Sequence, residues 1–545
     1  MTNIEISLKD LKGFIGNADL EKVQDYSKIE IEQSMEDKDK LIIEVKDSNR
    51  PDLLSAEGIA RDLKGIFGKE KGLALYKINK SSFALNSENP KARPEIVCAV
   101  IKNVKLDDHS IKQIIQLQEK LCEGFGRKRK EIALGIYDFD KIKWPITYKS
   151  VKPDSIKFIP LEMKESLTPR QILSKNEKGR EYACLLEHET EYPLLIDSSG
   201  NVLSMPPIIN SNYSGKVTEK TKNLFVEVTG FDKNKIMLAL NITLAALADR
   251  GGEIYSASIK SKGKSFTSPE FKIKTKSFSI EQVNERLGLT LTLKEIISLL
   301  EKARYNAKIK GKEIEAEIPF YRADVIHAFD IIEDIAIAYG YRNFEPEEPK
   351  ISTIGSLLKE TKKADNIAQL LIGLGFQEIL TFNMSNKNDL FKKMNLKEEN
   401  IIEIENPASQ TYTCLRNWVL PSLMNVLSQN TTKTYPQKIF EIGNATELAE
   451  NEVNSETIQK LAIAFSDSRV NFTNIKQILF YLMQNLNAGF EIKESNHPSF
   501  IAGRQAEIIS GKKVIGIFGE INPKVLASWN IEMPVVALEL DCRLL

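Results

Sequence analysis

Cysteine and histidine are scarce in this sequence. Its 545 residues include five Cys and four His. The cysteines stand far apart, at positions 98, 122, 184, 414 and 542, and none belongs to a Cys-x-x-Cys pair. That spacing argues against a zinc site and against a disulfide framework, and it suits a reducing compartment. We therefore expect a cytoplasmic protein.

Long apolar runs and an excess of one charge are missing as well. The longest mostly apolar run, residues 236–248, includes Asn241 and Thr243 and is too short to span a bilayer. The first ten residues lack the apolar core of a signal peptide, so no membrane role is expected. Lys plus Arg and Asp plus Glu number 75 each, so any nucleic-acid binding must come from local patches.

Two common catalytic motifs are also absent. A phosphate-binding P-loop ending in Gly263-Lys264-Ser265 would need glycine at position 258, where the chain has Ser258. The four histidines are isolated in sequence, and no Ser-His-Asp arrangement is visible. The sequence therefore shows neither a P-loop nor a catalytic triad.

The length of the chain predicts three to five domains rather than one core. Its 42% hydrophobic and 28% charged residues are typical of soluble globular proteins. Changes in composition and periodicity predict domains at residues 1–85, 90–260, 268–346 and 350–545. A polar linker with little periodicity lies at 79–95.

In the first domain, a turn at residues 47–52 precedes a helix that Ser55 caps. In the second domain, residues 126–130 form a basic cluster, which is either a solvated turn or a phosphate contact. Two prolines at 206 and 207 stop regular structure beside small polar residues, as in a pocket wall. Residues 225–229 alternate like a strand, which places Phe225, Glu227 and Thr229 on one face.

The third domain combines lysine-rich strands with short helices. Lysines occupy alternate positions at 260, 262 and 264 and again at 272, 274 and 276. On strands this spacing places each set on one face, either as solubilising edge residues or as contacts to nucleic acid. Apolar periodicity predicts two short helices near 280–289 and 296–300, consistent with a winged-helix-like module.

That domain ends in a helix rich in acids and capped by Gly340. Asp330, Glu333 and Asp334 are spaced i, i+3 and i+4, which predicts three carboxylates on one surface, and Asp324 lies just upstream. Acids in a first turn complement the helix dipole. Alternatively, the carboxylate oxygens bind Mg²⁺. The residues alone leave both explanations open, and we interpret His327 as structural.

Several stretches resemble the β-subunit family of phenylalanyl-tRNA synthetases, in the short archaeal or eukaryotic form. They are residues 49–55 (Asn-Arg-Pro-Asp-Leu-Leu-Ser), 204–211, 218–230, 322–341, 405–443 and 516–523. The resemblance implies a multidomain α+β fold: an N-terminal α+β domain, an editing domain, a winged-helix-like B5 domain and a catalytically inactive class II synthetase-like antiparallel sheet domain. It also implies a Mg²⁺ site at four matching acids, Asp324, Asp330, Glu333 and Asp334.

The last domain departs from a working class II active site. Such a site needs one arginine for the α-phosphate and a second, in a Gly-x-Gly-x-x-Arg pattern, for the γ-phosphate. Arg416 lacks the Phe-Arg-x-Glu surroundings, and Gly503-Arg504 lacks the glycine pattern. We therefore expect no aminoacylation residue in this chain.

There is a physical reason why an enzyme for Phe would need an editing domain. A pocket shaped for Phe rejects Tyr weakly, because Tyr only adds a hydroxyl to it. A second site that captures the hydroxyl and hydrolyses the ester would correct the error. The candidate editing residues, chosen where the motif matches the family, are Asn210, Ser211, Glu227 and Thr229. Glu227 would receive the phenol hydroxyl. We expect positioning of the ester and the water to contribute more than acid–base chemistry.

The resemblance implies the β subunit of an α2β2 phenylalanine–tRNA ligase that joins Phe to tRNA(Phe) using ATP, with Mg²⁺ as cofactor. This chain would supply tRNA docking, the α-subunit interface, the Mg²⁺ site and editing, with no membrane partner. Two other classes of protein remain open: a free-standing hydrolase of mischarged tRNA and a non-enzymatic nucleic-acid-binding scaffold.

Overall fold

The chain forms two compact units, Met1–Glu348 and Pro349–Leu545. The computed structural model describes residues 2–16, 20, 23–349 and 351–544. None of the helices that it describes is both long enough and apolar enough to cross a membrane.

The first unit begins with a small α+β domain whose three strands pair antiparallel in the order β1-β3-β2. Ile4 alternates with exposed residues on β1 and Ile43 with half-buried residues on β3, and both pack with Ile59 and Leu63 of α2. Ser55 accepts the Gly58 N–H at the start of α2, which confirms the predicted cap. The elements are β1 (Thr2–Ser7), α1 (Leu8–Ile15), β2 (Ile29–Gln33), β3 (Lys40–Val45) and α2 (Ala56–Ile66).

A large mixed sheet with helices around it follows, in the strand order β11-β10-β9-β8-β5-β13-β6-β12-β7, with β4 and β14 pairing with β13. The elements are β4 (Ile78–Asn79), β5 (Ala84–Ser87), β6 (Glu95–Lys102), α3 (Asp108–Lys120), β7 (Ile132–Asp138), β8 (Ile146–Val151), α4 (Pro169–Lys175), α5 (Glu177–Glu181), β9 (Tyr192–Ile196), β10 (Val202–Met205), β11 (Ile209–Asn210), β12 (Leu224–Gly230), α6 (Lys233–Asp249), β13 (Glu253–Ser261) and β14 (Lys264–Ser268).

The two ends of this sheet come together. Asn210 on β11 donates its side-chain amide to the Ile136 carbonyl on β7 at 3.4 Å. The backbone N–H of Asp138 donates to the Ser214 carbonyl at 2.8 Å. As a result, the polar segment after Pro207 lies against β7, the immediate neighbour of β12.

The lysines at 260, 262 and 264 do not lie on one strand face, so that part of the prediction was wrong. Lys262 and Gly263 form the turn between β13 and β14, both with positive φ, 51° and 73°. A two-residue turn of this kind reverses the chain, so Lys264 lies on the returning strand.

The last part of the first unit has a three-stranded antiparallel sheet and three helices around a separate core. Two helices followed by a β-hairpin give the winged-helix-like order, and Gly340 ends the acidic helix with φ 92°, as expected. The elements are β15 (Lys274–Ser279), α7 (Ile280–Leu287), α8 (Leu293–Lys302), β16 (Asn306–Lys310), β17 (Glu313–Ile318) and α9 (Ala328–Tyr339).

The second unit is built on a seven-stranded sheet in the order β18-β21-β22-β26-β25-β24-β23, antiparallel except for β18 against β21. Helices cover both faces of it. The elements are α10 (Lys359–Gly373), β18 (Gln377–Glu378), β19 (Met384–Ser385), β20 (Cys414–Leu415), α11 (Leu420–Gln429), β21 (Gln437–Leu448), β22 (Ser455–Ser466), α12 (Phe472–Asn485), β23 (Glu491–Glu494), β24 (Phe500–Ser510), β25 (Lys513–Ile521), α13 (Pro523–Ser528) and β26 (Val535–Asp541).

Two separate cores therefore share this sheet. On the interior strand β22, Ala462 and Ala464 pack in the core with α11 and α13. Their neighbours Leu461 and Ile463 pack in the core with α10 and α12. Successive residues of β22 thus serve opposite faces.

Candidate functional sites

Glu227 is a buried carboxylate with one oxygen unpaired. It lies on β12 between Cys98 of β6 and Gly135 of β7. Tyr137 donates its hydroxyl to Glu227 Oε1 at 2.9 Å, whereas Oε2 has no hydrogen-bond partner. Burial raises the pKa of Glu227 to about 7, against the opposing effects of the Tyr137 hydrogen bond and of the Arg93 charge.

Gly135 leaves the space that this carboxylate occupies. A Cβ at position 135 would lie 2.6 Å from Glu227 Oε1 and 2.3 Å from the Tyr137 hydroxyl. Real Cβ atoms do not approach so closely, so a glycine is required opposite Glu227 in this arrangement.

Thr229, two residues along β12, is held by a buried arginine. Arg93 donates from Nε to Thr229 Oγ1 and from Nη2 to the Thr229 carbonyl, both at 2.9 Å. Burial lowers the pKa of Arg93, although the neighbouring Tyr148 and Glu227 oppose this. The guanidinium therefore fixes Thr229 beside Glu227 on one face of the strand.

The other two predicted residues follow the Pro206–Pro207 segment, whose peptide bond is cis. Asn210 is half-buried and bonds to β7, next to β12. Ser211 is buried, and its hydroxyl lies 3.3 Å from that of Ser214 within its own turn. The fold thus places Asn210 against β7, which pairs with the strand that carries Glu227 and Thr229, while Ser211 supports the turn.

Arg93 and Tyr137 of this region were not found from sequence, and Ser204 was noted only as the first residue of the 204–211 stretch. The buried Ser204 hydroxyl faces the Tyr137 phenol but makes no hydrogen bond of good geometry. Each lies on a different strand or loop from Glu227, and only the tertiary fold brings them together. No local pattern distinguishes them from ordinary core residues.

The four acids of the second candidate site have different surroundings. Asp324 and Asp334 are buried, and Arg322 bonds to both carboxylates, Nη2 lying 2.7 Å from Asp334. Burial opposes ionisation of Asp324, but the hydrogen bond and charge of Arg322 outweigh it and hold the pKa of that carboxyl below its usual value. The prediction that Asp334 shares an exposed face with the other helix acids was therefore wrong.

Asp330 is half-buried and Glu333 is exposed. Asp330 accepts the N–H groups of Ile326 and His327 at 2.7 and 2.6 Å, which caps α9. Glu333 pairs with Lys28 at 3.1 Å. Oxygen ligands suit Mg²⁺, yet no three Asp, Glu, His or Cys side chains converge to hold a metal ion in the described ranges. In this arrangement the four acids do not form a ligand set, and the Mg²⁺ site stays a prediction.

Arg416, considered above as a phosphate ligand, is fully engaged inside the second unit. Its side chain is 1% exposed and pairs with Glu441, also 1% exposed, at 2.6 Å. It also donates to Thr381, Ser422, Asn383 and the Asn444 carbonyl. No donor of this guanidinium is left for a nucleotide.

Arg504 is the other arginine considered there. It is exposed and pairs with Glu520 at 2.8 Å. It therefore lies on the surface of the sheet domain rather than in a closed phosphate site.

Comparison with known proteins identifies three domains of this chain. Residues 345–542 match the family model "phenylalanyl tRNA synthetase beta chain CLM domain", residues 276–341 the tRNA synthetase B5 domain, and residues 92–242 the B3/4 domain. The chain is thus a multidomain α+β protein of the aminoacyl-tRNA synthetase class.

Its relatives identify the family. The phenylalanine–tRNA ligase β subunit of Pyrococcus horikoshii is 46% identical over 552 residues, covering 100% of this chain and 99% of that one. That of Methanocaldococcus jannaschii is 43% identical and covers 94% of each. A crystal structure of an N-terminal fragment of the P. horikoshii β subunit matches 62% of this chain with a TM-score of 0.60 and 44% identity. The chain belongs to the family of phenylalanine–tRNA ligase β subunits, which confirms the resemblance.

Proposed function

We propose that this chain works as the β subunit of an α2β2 ligase. The complex would convert ATP, L-phenylalanine and tRNA(Phe) into AMP, diphosphate and L-phenylalanyl-tRNA(Phe). The main support for separate roles of the two subunits comes from Arg416. All of its donors form hydrogen bonds within the sheet domain, so it cannot bind a nucleotide. Activation of Phe is therefore assigned to the α subunit.

Exposed apolar side chains on the second unit support a protein partner. Ile354 is 98% exposed, Leu380 83% and Phe382 66%, and Ile351, Leu357, Leu358 and Ile372 are also exposed. Large apolar residues concentrated in one segment are typical of protein interfaces. An interface with the α subunit accounts for residues 351–384 better than a free-standing hydrolase does.

The chain without an α subunit is expected to give no ATP–pyrophosphate exchange with Phe, because its arginines are committed elsewhere. Exchange should appear when the α subunit is added. The measurement is radiolabelled pyrophosphate incorporation into ATP at matched protein concentrations. Exchange by the chain freed of α subunit would contradict the proposal.

A Mg²⁺ site at Asp324, Asp330, Glu333 and Asp334 is proposed from the resemblance alone. If the acids hold Mg²⁺ at the α boundary, Asp330→Asn with Glu333→Gln should weaken assembly of the complex, and chelation should do the same to the parent. If Asp330 only caps α9, each change costs at most about 1 kcal/mol. Native mass measurement of the complex decides between them.

Glu285→Gln, an exposed acid on α7 of the same module, is the matched control. Assembly that is unchanged in the double variant, with no response to chelation, would remove the metal from this site.

Editing of Tyr-tRNA(Phe) is proposed for the module that contains Glu227. Its support is the unpaired Oε2 of Glu227. A buried acceptor of this kind favours a ligand that carries a hydroxyl, because the acceptor stays unpaired when the hydroxyl is missing. Thr229 and Asn210 would position the ester and a water, because no side chain beside them is an obvious general base. Glu227 is closed off from solvent in this structure, so the phenol must enter by displacing its neighbours, of which Tyr137 is the nearest.

The test of editing is deacylation of Tyr-tRNA(Phe) by the chain assembled with its α subunit. Measurable deacylation would also exclude the non-enzymatic scaffold. No deacylation by the parent complex would remove editing from this chain.

A further inference from the structure

The turn after α3 has an unusual backbone. Arg127, Lys128 and Arg129 all have positive φ, 50°, 54° and 62°. Their N–H groups donate in turn to the carbonyls of Gly124, Glu123 and Cys122, which holds the chain in this form. Glycine and asparagine adopt such angles with less strain than arginine and lysine do. Three long cationic residues in this conformation indicate that the side chains, rather than the turn, are needed.

The basic side chains of the turn divide into two groups. Arg129 faces inward, donates to the carbonyls of Pro207 and Ile208 at 3.2 and 2.8 Å, and lies over the Tyr182 ring. Arg127, Lys128 and Lys130 are exposed. Within the described part of the chain none of these three forms an ion pair, so the turn presents positive charge that no acid neutralises.

Arg93 connects this turn to the proposed editing residues. Its Nη1 donates to the carbonyls of Arg129 and Lys130 at 3.1 and 3.2 Å, and its Nε donates to Thr229 Oγ1 at 2.9 Å. One guanidinium therefore spans the distance from the turn to Thr229. The exposed cations lie at the edge of the region that contains Glu227.

An exposed aromatic ring lies at the same edge. Phe231 is 52% exposed and follows Gly230, which pairs with Ile132 immediately after the turn. The Arg93 guanidinium lies 5.6 Å from the centre of its ring. Cations next to an exposed ring are typical of surfaces that bind single-stranded nucleic acid, where phosphates meet the charges and a base stacks on the ring.

We propose that Arg127, Lys128, Lys130 and Phe231 hold the single-stranded 3′ end of a mischarged tRNA while its aminoacyl group enters the Glu227 region. The inference rests on the proposed editing function and assigns the RNA contacts of that site. It selects the phosphate contact from the two explanations that the sequence left open for the basic cluster. These residues bind and position RNA, and they take no part in breaking the ester bond.

The first test uses Arg127→Gly with Lys128→Gly in the chain assembled with its α subunit. Glycine removes the charges and relieves the strain, so the thermal midpoint should not fall. KM for Tyr-tRNA(Phe) deacylation should rise tenfold or more while kcat stays within twofold. The salt slope of log(kcat/KM) should shrink by about 1.4, the value for two lost phosphate contacts on a single strand.

The matched control is Lys152→Ala with Lys157→Ala, two exposed lysines that follow β8 in the same module. Its KM and salt slope should stay at the parent values. Arg127→Gln with Lys128→Gln keeps polar, non-glycine side chains while removing both charges and should reproduce the rise in KM, which guards against a folding defect of the glycine variant.

The second test addresses stacking. Phe231→Leu should raise KM several-fold, whereas Phe231→Tyr, which keeps a ring, should restore the parent value. A parent-like KM in the basic-turn variants, a fall in kcat alone, or equal effects of Leu and Tyr would overturn the inference. A parent that does not deacylate Tyr-tRNA(Phe) at all would instead overturn the editing function.

Discussion

Replacing Arg416 by Met is expected to destabilise the second unit by about 3–5 kcal/mol, the usual cost of removing one partner of a buried ion pair. Glu441 would remain almost completely buried without its cation. Gly443 shows how closely the pair is packed, because a Cβ there would lie 2.4 Å from Arg416 Nη2. Urea unfolding followed by tryptophan fluorescence measures the change, since two of the three tryptophans, Trp418 and Trp529, lie in this unit.

Two further variants show whether the loss of stability comes from leaving Glu441 buried without a partner or only from losing a charge. Arg416→Met with Glu441→Leu should recover most of the loss, because replacing both partners of a buried pair by apolar residues is often neutral. Arg504→Met breaks the pair of the exposed Arg504 with Glu520 in the same unit and should leave the urea midpoint almost unchanged, because surface ion pairs contribute little to stability. A cost for Arg416→Met as small as that for Arg504→Met would contradict the buried network.

Glu227→Gln is expected to make the protein less sensitive to pH. The pKa of Glu227 is raised to about 7 by burial, so its carboxyl stays protonated in the fold where an unfolded one has ionised. Its stabilising contribution is therefore complete below about pH 4.3 and is lost as pH rises through about 7. Above pH 7 the parent should be less stable than Glu227→Gln by up to about 3 kcal/mol.

Unfolding midpoints from pH 4.5 to 8.5 measure this difference. Glu219→Gln, an exposed acid of the same module, should follow the parent profile. Glu227→Ala also removes the acceptor for the phenol, so deacylation of Tyr-tRNA(Phe) should be lost. A pH profile of Glu227→Gln that runs parallel to the parent, or parent-like deacylation by Glu227→Ala, would remove Glu227 from these roles.

Local features were predictable from sequence where short-range chemistry decides them. The Ser55 cap and the end of α9 at Gly340 depend on residues a few positions apart. The alternation of residues 225–229 predicted β12 for the same reason. Such patterns predict the element but not what lies against it.

The rest depends on partners distant in sequence. Asp334 and Glu333 are neighbours on α9, yet Arg322 holds the first inside the core and Lys28 pairs with the second at the surface. The carboxylate spacing alone could not distinguish them. Arg93 and Tyr137 reach the Glu227 region only through the tertiary fold, and the positive φ angles at 127–129 have no glycine or asparagine to indicate them.

The interior strand β22 of the second unit limits where codons can be inserted or deleted in the gene. Ala462 and Ala464 fill one core while Leu461 and Ile463 fill the other. Insertion of a single codon within β22 would reverse the faces of the strand residues beyond it. Leucine and isoleucine would then enter the core that the alanines now fill, and alanines would leave the other core underpacked. Insertions and deletions among natural variants should therefore fall in loops such as residues 449–454 and avoid residues 455–466.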